Sequence, residues 1–319
     1  MKAIAITQAA ADGNNIPFLR DIDLPDPQAQ GHDLLVEVKA ISVNPVDTKV
    51  RAGFNADTPR VLGWDAVGVV KAVGDAVTLF TPGDEVWYAG ALGRPGSNSE
   101  LQLVDERIVA LKPRSLENAA AAALPLTAIT AWELLFHRLG VQEGGNAGDT
   151  LLIVGAAGGV GHFAVQLAKW QGAEVIAVAA GRHEAFLRQL GADAFIDYTT
   201  TAVEEAVRDL DLVIDAPGGP ASGRFLRTLR RGGALYPVFP LGFAVAEEAR
   251  QRGVTVSTTQ VRSSGAQLAR LADLLDAGVI RVAIDSVFPL AQAQMAHERA
   301  VQGRLQGKIV LSVMDSSAE

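Results

Sequence analysis

The amino-acid sequence predicts an α/β protein of two domains, the second of them a doubly wound parallel sheet. Three observations carry that prediction. The run Leu151-Leu-Ile-Val-Gly-Ala-Ala-Gly-Gly-Val-Gly161 is an apolar stretch fit for a buried strand, and it breaks into a glycine-rich turn before a helical segment, His162 to Gln171. From about Leu124 onward strand-like and helix-like segments alternate, the pattern of a parallel sheet wrapped by helices. The residues before that are β-rich and punctuated by turns.

Length and composition fit this picture. A chain of 319 residues is long enough to bury sizeable cores and divide into two domains. It is 49% hydrophobic and only 20% charged, with a formal net charge of -8 and a pI near 5.2. That charge argues against nucleic acid or an anionic membrane as the main partner, since both require concentrated positive charge. Cysteine is absent, so no disulfide and no thiolate metal site can form, and a reducing cytoplasm is the expected location.

Taken in order, Met1-Lys-Ala-Ile-Ala-Ile-Thr7 lacks the long apolar core of a signal peptide and reads as a strand. Leu34–Ile41, Ala66–Val73 and Leu101–Val104 read as further strands, with turns at Pro25-Asp-Pro27, Thr81-Pro-Gly-Asp84 and Arg94-Pro-Gly-Ser97. Asn44 to Gly53 reads as a short helix: Asn44 caps it, Pro45 opens it, Asp47 lies in its first turn and Gly53 ends it. Ala119 to Phe136 is the most apolar window, but Pro125, two threonines and Glu133 mark it as a buried helical region rather than a membrane span. Strands follow at Thr150–Val154, Glu174–Ala179, Ala194–Ile196, Leu212–Asp215, Ala234–Phe239 and Val254–Ser257. The strand ending at Asp215 enters Ala216-Pro-Gly-Gly219, a turn at the strand end where ligands sit in such sheets. A helix (Gly265–Ala277), a strand near Asp285–Phe288, a helix (Leu290–Gln302) and a last strand (Lys308–Val313) complete the chain.

The glycine turn is built for a dinucleotide. Gly158 lets the backbone approach a pyrophosphate, Gly161 lets helix and strand pack closely, and the N–H groups of the helix start face the anion. Ala156 stands where the first glycine of G-x-G-x-x-G would be. The second strand ends Ala177-Val-Ala-Ala-Gly-Arg182 with no acidic residue to hold a ribose 2′-hydroxyl, and Arg182 is placed to pair with a 2′-phosphate. That selects NADPH over NADH. Arg182 can also be read as a solvated residue at a helix start, and His183 beside it is expected at the surface.

Seven segments, in this order, resemble the medium-chain dehydrogenase/reductase superfamily in its zinc-independent, zeta-crystallin-like quinone oxidoreductase branch. They are Val43-Asn-Pro-Val-Asp-Thr48, Leu62-Gly-Trp-Asp-Ala-Val-Gly-Val-Val70, Pro82-Gly-Asp-Glu-Val-Trp87, Leu124-Pro-Leu-Thr-Ala128, Gly155 to Gly161, Leu190-Gly-Ala-Asp193 and Gly307-Lys-Ile-Val-Leu311. The resemblance implies a GroES-like β-barrel catalytic domain over residues 1–124 and 263–319. A Rossmann NADPH-binding domain would occupy 125–262, with the active site in the cleft between them. It implies reduction of quinones or activated carbon–carbon double bonds, a small-molecule partner, and a homodimer joined through edge strands at Val254–Ser257. The cofactor set it implies is Asn44, Thr127, Ala157, Gly158, Gly159, Val160, Ala180, Arg182, Tyr198, Ala216, Phe239 and Lys308, and the catalytic candidates are Asn44 and Phe54.

Each of these residues has a plainer reading as well. Thr127 can bond its own backbone, Tyr198 can be a half-buried packing residue, and Lys308 can be an exposed lysine. Asn44 matches a residue able to donate to a substrate carbonyl or the cofactor ribose, while its cap position is sufficient reason for it. Many relatives carry a tyrosine just after the Arg-x-Gly segment; here the run is Arg51-Ala-Gly-Phe-Asn55, which lacks that proton donor and leaves Phe54 as a candidate pocket wall. Zinc ligation is not expected. Cysteine is missing, Asp65 has no histidine in its motif, and His32, His137, His162, His183 and His297 are scattered. No Tyr-x-x-x-Lys occurs, which excludes the short-chain reductases. Two alternatives stay open, an enoyl-thioester reductase and a non-enzymatic NADPH-binding redox sensor.

Overall fold

A computed structural model describes residues 1–7, 18–54, 57–137, 145, 147–239, 245–257 and 261–313. The chain divides into two compact units, one of Met1–Ile129, Ser263–Gly278 and Val282–Glu319, the other of Thr130–Arg262 and Val279–Arg281.

The strands of the first unit, up to the inserted segment, are β1 (Lys2–Ile6), β2 (Leu19–Asp23), β3 (Asp33–Val43), β4 (Arg60–Val61), β5 (Asp65–Val73), β6 (Glu85–Ala89), β7 (Leu101–Asp105) and β8 (Val109–Leu111). The second unit contributes β9 (Thr150–Val154), β10 (Glu174–Ala179), β11 (Ala194–Asp197), β12 (Leu210–Asp215), β13 (Leu229–Pro237) and β14 (Thr255–Val256). The chain then returns to the first unit for β15 (Ile284–Pro289) and β16 (Lys308–Ser312). The helices that matter below are α1 (Pro45–Ala52), α2 (Asn118–Ala122), α3 (Pro125–Trp132) and α4 (Gly159–Trp170).

In the first unit β3 is the organising strand. Its alternating pattern, half-buried then buried, is what a strand facing one core should show, and it turns fully buried over its last four residues. It pairs antiparallel with β5, β7 and β16, so three strands that are distant in sequence converge on it. The sheet runs β15-β16-β3-β5-β6-β8, and a smaller sheet runs β2-β1-β4. Trp64, Trp87 and Tyr88 are among its largest fully buried side chains.

The second unit is a six-stranded sheet in the order β11-β10-β9-β12-β13-β14, with every pair parallel. The chain reverses direction across the sheet at β9, the doubly wound arrangement the alternating segments predict. Leu152, Val154, Val178, Val213, Phe225 and Leu235 form part of one buried cluster. Helix α4 is buried from Gly161 to Ala168, which accounts for its nearly uninterrupted apolar sequence. No helix among the described residues is long and apolar enough to cross a membrane.

Several short elements differ from expectation. β13 starts at Leu229 rather than Ala234, because a register irregularity between Leu210 and Leu212 lets the strand pair earlier. The helix expected over Leu290–Gln302 is a 3₁₀ turn followed by an α-helix at Ala293–Gln302. That helix, α9 once α5 (Glu184–Gln189), α6 (Val203–Ala206), α7 (Ala246–Arg252) and α8 (Gly265–Asp276) are counted, packs on α1. It buries His297, neither of whose ring nitrogens has a hydrogen-bond partner among the described residues.

Burial, helped by the Arg51 charge, pushes the His297 imidazole down to about 3. The unfolded chain therefore binds this proton between pH 6.5 and 3 while the folded chain does not. Stability must fall as pH drops through that window, by up to about 1.4 kcal/mol per pH unit. In urea unfolding at pH 7 and pH 5, the wild type should lose roughly 2 kcal/mol more than His297→Met does. An identical loss in the two proteins would contradict this assignment.

Candidate functional site

The second unit carries one group of predicted residues along a single rim. β9 is followed by Gly155, whose φ of +71° turns the chain sharply. The turn is fastened on both sides: the Ala156 N–H donates to Val178 O on β10 at 3.0 Å, and the Ala216 N–H donates to Val154 O at 3.1 Å. Gly158, in an extended conformation, is the N-cap of α4. A Cβ on Gly161 would overlap the Gly155 carbonyl oxygen and sit 2.6 Å from Ala156 Cα, so only glycine lets α4 approach the strand this closely.

Ala157, Gly158, Gly159, Val160, Ala180, Arg182, Tyr198, Ala216 and Phe239 all lie at the carboxyl ends of β9 to β13. Ala157 is buried, Gly158 to Val160 are half-buried, and Arg182 is exposed. Tyr198 is 55% exposed, so it is not the half-buried packing residue of the alternative reading. The Gly219 N–H donates to Phe239 O at 2.7 Å, closing the β12 and β13 ends together. His183 departs from expectation. It is buried, because the 3₁₀ turn Gly181–His183 folds it inward, and its Nε2 accepts from Arg182 Nε at 3.1 Å.

Sequence reasoning passed over Asp197, the last residue of β11. Its Oδ1 accepts from the Thr199 N–H (2.9 Å) and hydroxyl (2.6 Å), and a Cβ on Gly181 would lie 2.5 Å from its Oδ2. The bonds from Thr199 hold this carboxyl below the usual range, with the Gly181 N–H assisting. The signal was a strand-end acid one strand further along than the position that sequence patterns inspect.

The first unit carries a second group, and here the sheet register does the assembling. Val310 pairs with Ser42 and Ile309 with Val43, which sets Lys308 beside Asn44. On the other side of β3, Ser42 pairs with Asp65. Ser42, Asn44, Asp47, Asp65 and Lys308 are all at most 3% exposed. Lys308 is thus not the exposed lysine of the plainer reading; its Nζ donates to Val43 O (2.8 Å) and Asn44 Oδ1 (2.5 Å). Asn44 Nδ2 donates to Asp65 Oδ2 (2.8 Å), which also accepts from Ser42 Oγ (2.7 Å). Asp65 Oδ1 accepts from the Leu126 N–H at the start of α3 (2.7 Å).

Asn44 is the residue before α1, as its sequence predicts, and the Asp47 carboxylate accepts its N–H at 2.7 Å. The Asn44 side-chain amide also bonds Asp65 and Lys308. Asp47 also accepts from the Gly63 N–H at 2.9 Å. Thr127 Oγ1 bonds the carbonyls of Leu124 (3.1 Å) and Ala123 (3.4 Å), the local backbone arrangement given as its plainer reading. Phe54 is half-buried and packs on the cluster of Ile6, Leu62 and Trp64.

Burial dominates the electrostatics of this cluster. It pushes the Asp47 carboxyl up to about 7, against the bond from Asn44 and the Lys308 charge. It raises Asp65 too, opposed first by Lys308 and then by the bonds from Asn44, Ser42 and Leu126. It lowers Lys308, opposed by Asp65 and Asp47. One lysine thus lies among two buried carboxyl groups. The cation of this cluster is Lys308, part of the chain itself. Among the described residues no group of three or more His, Cys, Asp or Glu side chains is placed to hold one.

Comparison with known proteins gives the family. Residues 30–114 match the model for an alcohol dehydrogenase GroES-like domain, and residues 190–311 match the model for a zinc-binding dehydrogenase. The chain is 35% identical over 325 residues to the mitochondrial NAD(P)H oxidoreductase RTN4IP1 of Mus musculus, covering 89% of this chain and 82% of that protein. It superimposes on the quinone oxidoreductase of Coxiella burnetii with a TM-score of 0.88 at 31% identity, covering 98% of this chain and 99% of that one. The NADPH complex of Escherichia coli quinone oxidoreductase gives a TM-score of 0.85 at 26% identity, covering 98% and 100%. The glycine turn, the β3-centred sheet and these likenesses agree: the chain belongs to the medium-chain dehydrogenase/reductase superfamily, in its quinone oxidoreductase branch.

Proposed function

We propose that this protein is a zinc-independent oxidoreductase that uses NADPH in preference to NADH to reduce a quinone or an α,β-unsaturated carbonyl compound. The observation that carries the reading is the rim of the parallel sheet, where the glycine turn opens α4 and the neighbouring strand ends in Ala180-Gly181-Arg182 without an acid. A pyrophosphate is accommodated by the half-buried backbone of Gly158, Gly159 and Val160 at a helix start. Arg182 is exposed and long enough to meet a 2′-phosphate, with Ala180 and Tyr198 flanking it. Asp197 is the counter-argument at this end, and the bonds it accepts from Thr199 reduce its reach.

Bound NADPH supplies the hydride. The chain's own part is position and charge. Asn44 retains one Nδ2–H beyond its bond to Asp65, and that N–H is the donor for negative charge developing on the acceptor's oxygen. Thr127 and Lys308 orient the nicotinamide end, Ala216 and Phe239 border the dinucleotide, and Phe54 walls the acceptor pocket. Zinc plays no part, since the acidic cluster already holds Lys308. We place the protein in the cytoplasm. We also propose that a second copy adds at the open edge strand β14 to form a homodimer.

Initial rates of NADPH and NADH oxidation against quinones, enals and enones, with and without a chelator, test this. NADPH should be preferred by at least about tenfold, Arg182→Ala should erase the preference, and a chelator should change nothing. Turnover of crotonyl-CoA without turnover of simple quinones would move the substrate to acyl thioesters. Tight NADPH binding with no turnover of any acceptor would make the protein a binding module instead.

A further inference from the structure

Both ends of the Asn44 side-chain amide are bonded to other side chains, and the bonding has a direction. Lys308 can only donate hydrogen bonds, so the Asn44 atom facing it at 2.5 Å must be the carbonyl oxygen. An ionised Asp65 can only accept, so the atom facing it at 2.8 Å must be the amide nitrogen. The two ends agree. An asparagine amide is ordinarily ambiguous by a half-turn. Here a half-turn would set the amide nitrogen against an ammonium and the oxygen against a carboxylate, two repulsive contacts among buried groups.

Asp65 is the hub of the arrangement. One carboxylate accepts from Ser42 on β3, from Asn44 at the head of α1 and from the Leu126 N–H at the head of α3. Leu126 immediately precedes Thr127, so Asp65 ties two segments that carry candidate site residues to each other. Three donors and the Lys308 charge oppose the effect of burial on this carboxyl.

We infer that Asp65 is a positioning residue: with Lys308 it locks the Asn44 amide in a single orientation, so that one amide N–H of Asn44 is kept as a fixed donor for the reaction, while Asp65 itself touches neither cofactor nor acceptor. The donor role of Asn44 rests on the proposed reaction; the lock does not, and the test separates them.

The lock is read in the unmodified protein by 15N–1H NMR of its asparagine side chains. The Asn44 amide should show one strongly downfield, slowly exchanging proton. An Asn44 amide that exchanges as fast as a surface asparagine overturns the lock, whatever the enzyme does. The positioning role is read in two variants. Asp65→Asn keeps size and an acceptor for Leu126 but opposes amide to amide. It should lower kcat by at least about tenfold with KM for NADPH changed less than about twofold. The exchange Asn44→Asp with Asp65→Asn restores the number of charges and a donor–acceptor pair between the two positions. It should recover thermal stability lost in Asp65→Asn and leave kcat low, since a carboxylate at position 44 has no N–H to give. Recovery of kcat together with stability would show Asp65 to be structural only and overturn the inference. If Asp65→Asn does not fold, the exchange variant and the NMR signal decide. Absence of turnover in the wild type would sink the proposed reaction and leave the NMR result standing.

Discussion

Lys308→Met is expected to destabilise the protein by about 3–5 kcal/mol, the range for removing one partner from a buried ionic group. Methionine fills much the same volume, so the loss is electrostatic rather than a cavity effect. Asp47 and Asp65 would be left buried with no counter-charge, and Val43 O and Asn44 Oδ1 would lose their donor. The pH response gives the effect a signature. Both carboxyls are already raised by burial, and removing Lys308 raises them further. A carboxyl whose folded value exceeds its unfolded value stabilises the fold below the unfolded value, near pH 4, and that stability is lost as pH climbs through the folded value. The variant's deficit, measured by urea unfolding, should therefore shrink as pH falls from 8 towards 5. A deficit below about 1 kcal/mol, or one independent of pH, would mean that Lys308 is not the cation of this cluster.

The two glycines of the turn should fail in different ways. Alanine at Gly161 would overlap the Gly155 carbonyl oxygen and press on Ala156 Cα, both backbone, so relief requires moving α4 off β9. A loss of about 3 kcal/mol is expected, the upper part of the overpacking range, with NADPH binding lost because the turn opens. Alanine at Gly158 meets nothing closer than 3.4 Å, an ordinary contact with the Gly155 oxygen. That variant should unfold like the wild type while binding NADPH at least about tenfold more weakly, since its methyl would stand where the pyrophosphate approaches the helix start. Calorimetric melting and NADPH titration of both proteins check the contrast. Unchanged NADPH affinity in Gly158→Ala would remove the turn from the cofactor site.

The difference between these two clusters explains what was legible in the sequence. The dinucleotide-type turn is local: strand, glycines and helix occupy Thr150 to Trp170 without interruption, so period and composition reveal it. The doubly wound sheet is legible for the same reason, since β9, β10 and β12 are each an apolar run of their own. β2, β4 and β8 escape because they are short, at the edge of a sheet or nearly so, and take their pairing from neighbours rather than from their own residues. β6 shows in the sequence only as the motif Pro82 to Trp87. The buried ionic cluster is non-local. In the sequence Asn44 and Lys308 stand out one at a time, and Asp65 only as an acidic position without a histidine. What joins them is the register of β16 and β5 on either side of β3, and no sequence period encodes a contact between residues 44 and 308. Ser42 and Asp47 carried no signal beyond strand alternation and a helix's first turn. His297, a polar residue on a helix with an otherwise ordinary pattern, read as scattered. Its burial comes from the packing of α9 on α1.

The central claim is that the protein moves hydride from NADPH to an electron-poor acceptor without a metal. It is tested most directly by incubating the chelator-treated protein with C4-deuterated NADPH and an enone and weighing the product. The account predicts one deuterium per reduced molecule, on the β-carbon of the former double bond, at the same rate with and without chelator, from one of the two C4 deuterated forms. Product that carries no deuterium, or turnover that stops with the chelator and returns with zinc, would contradict it.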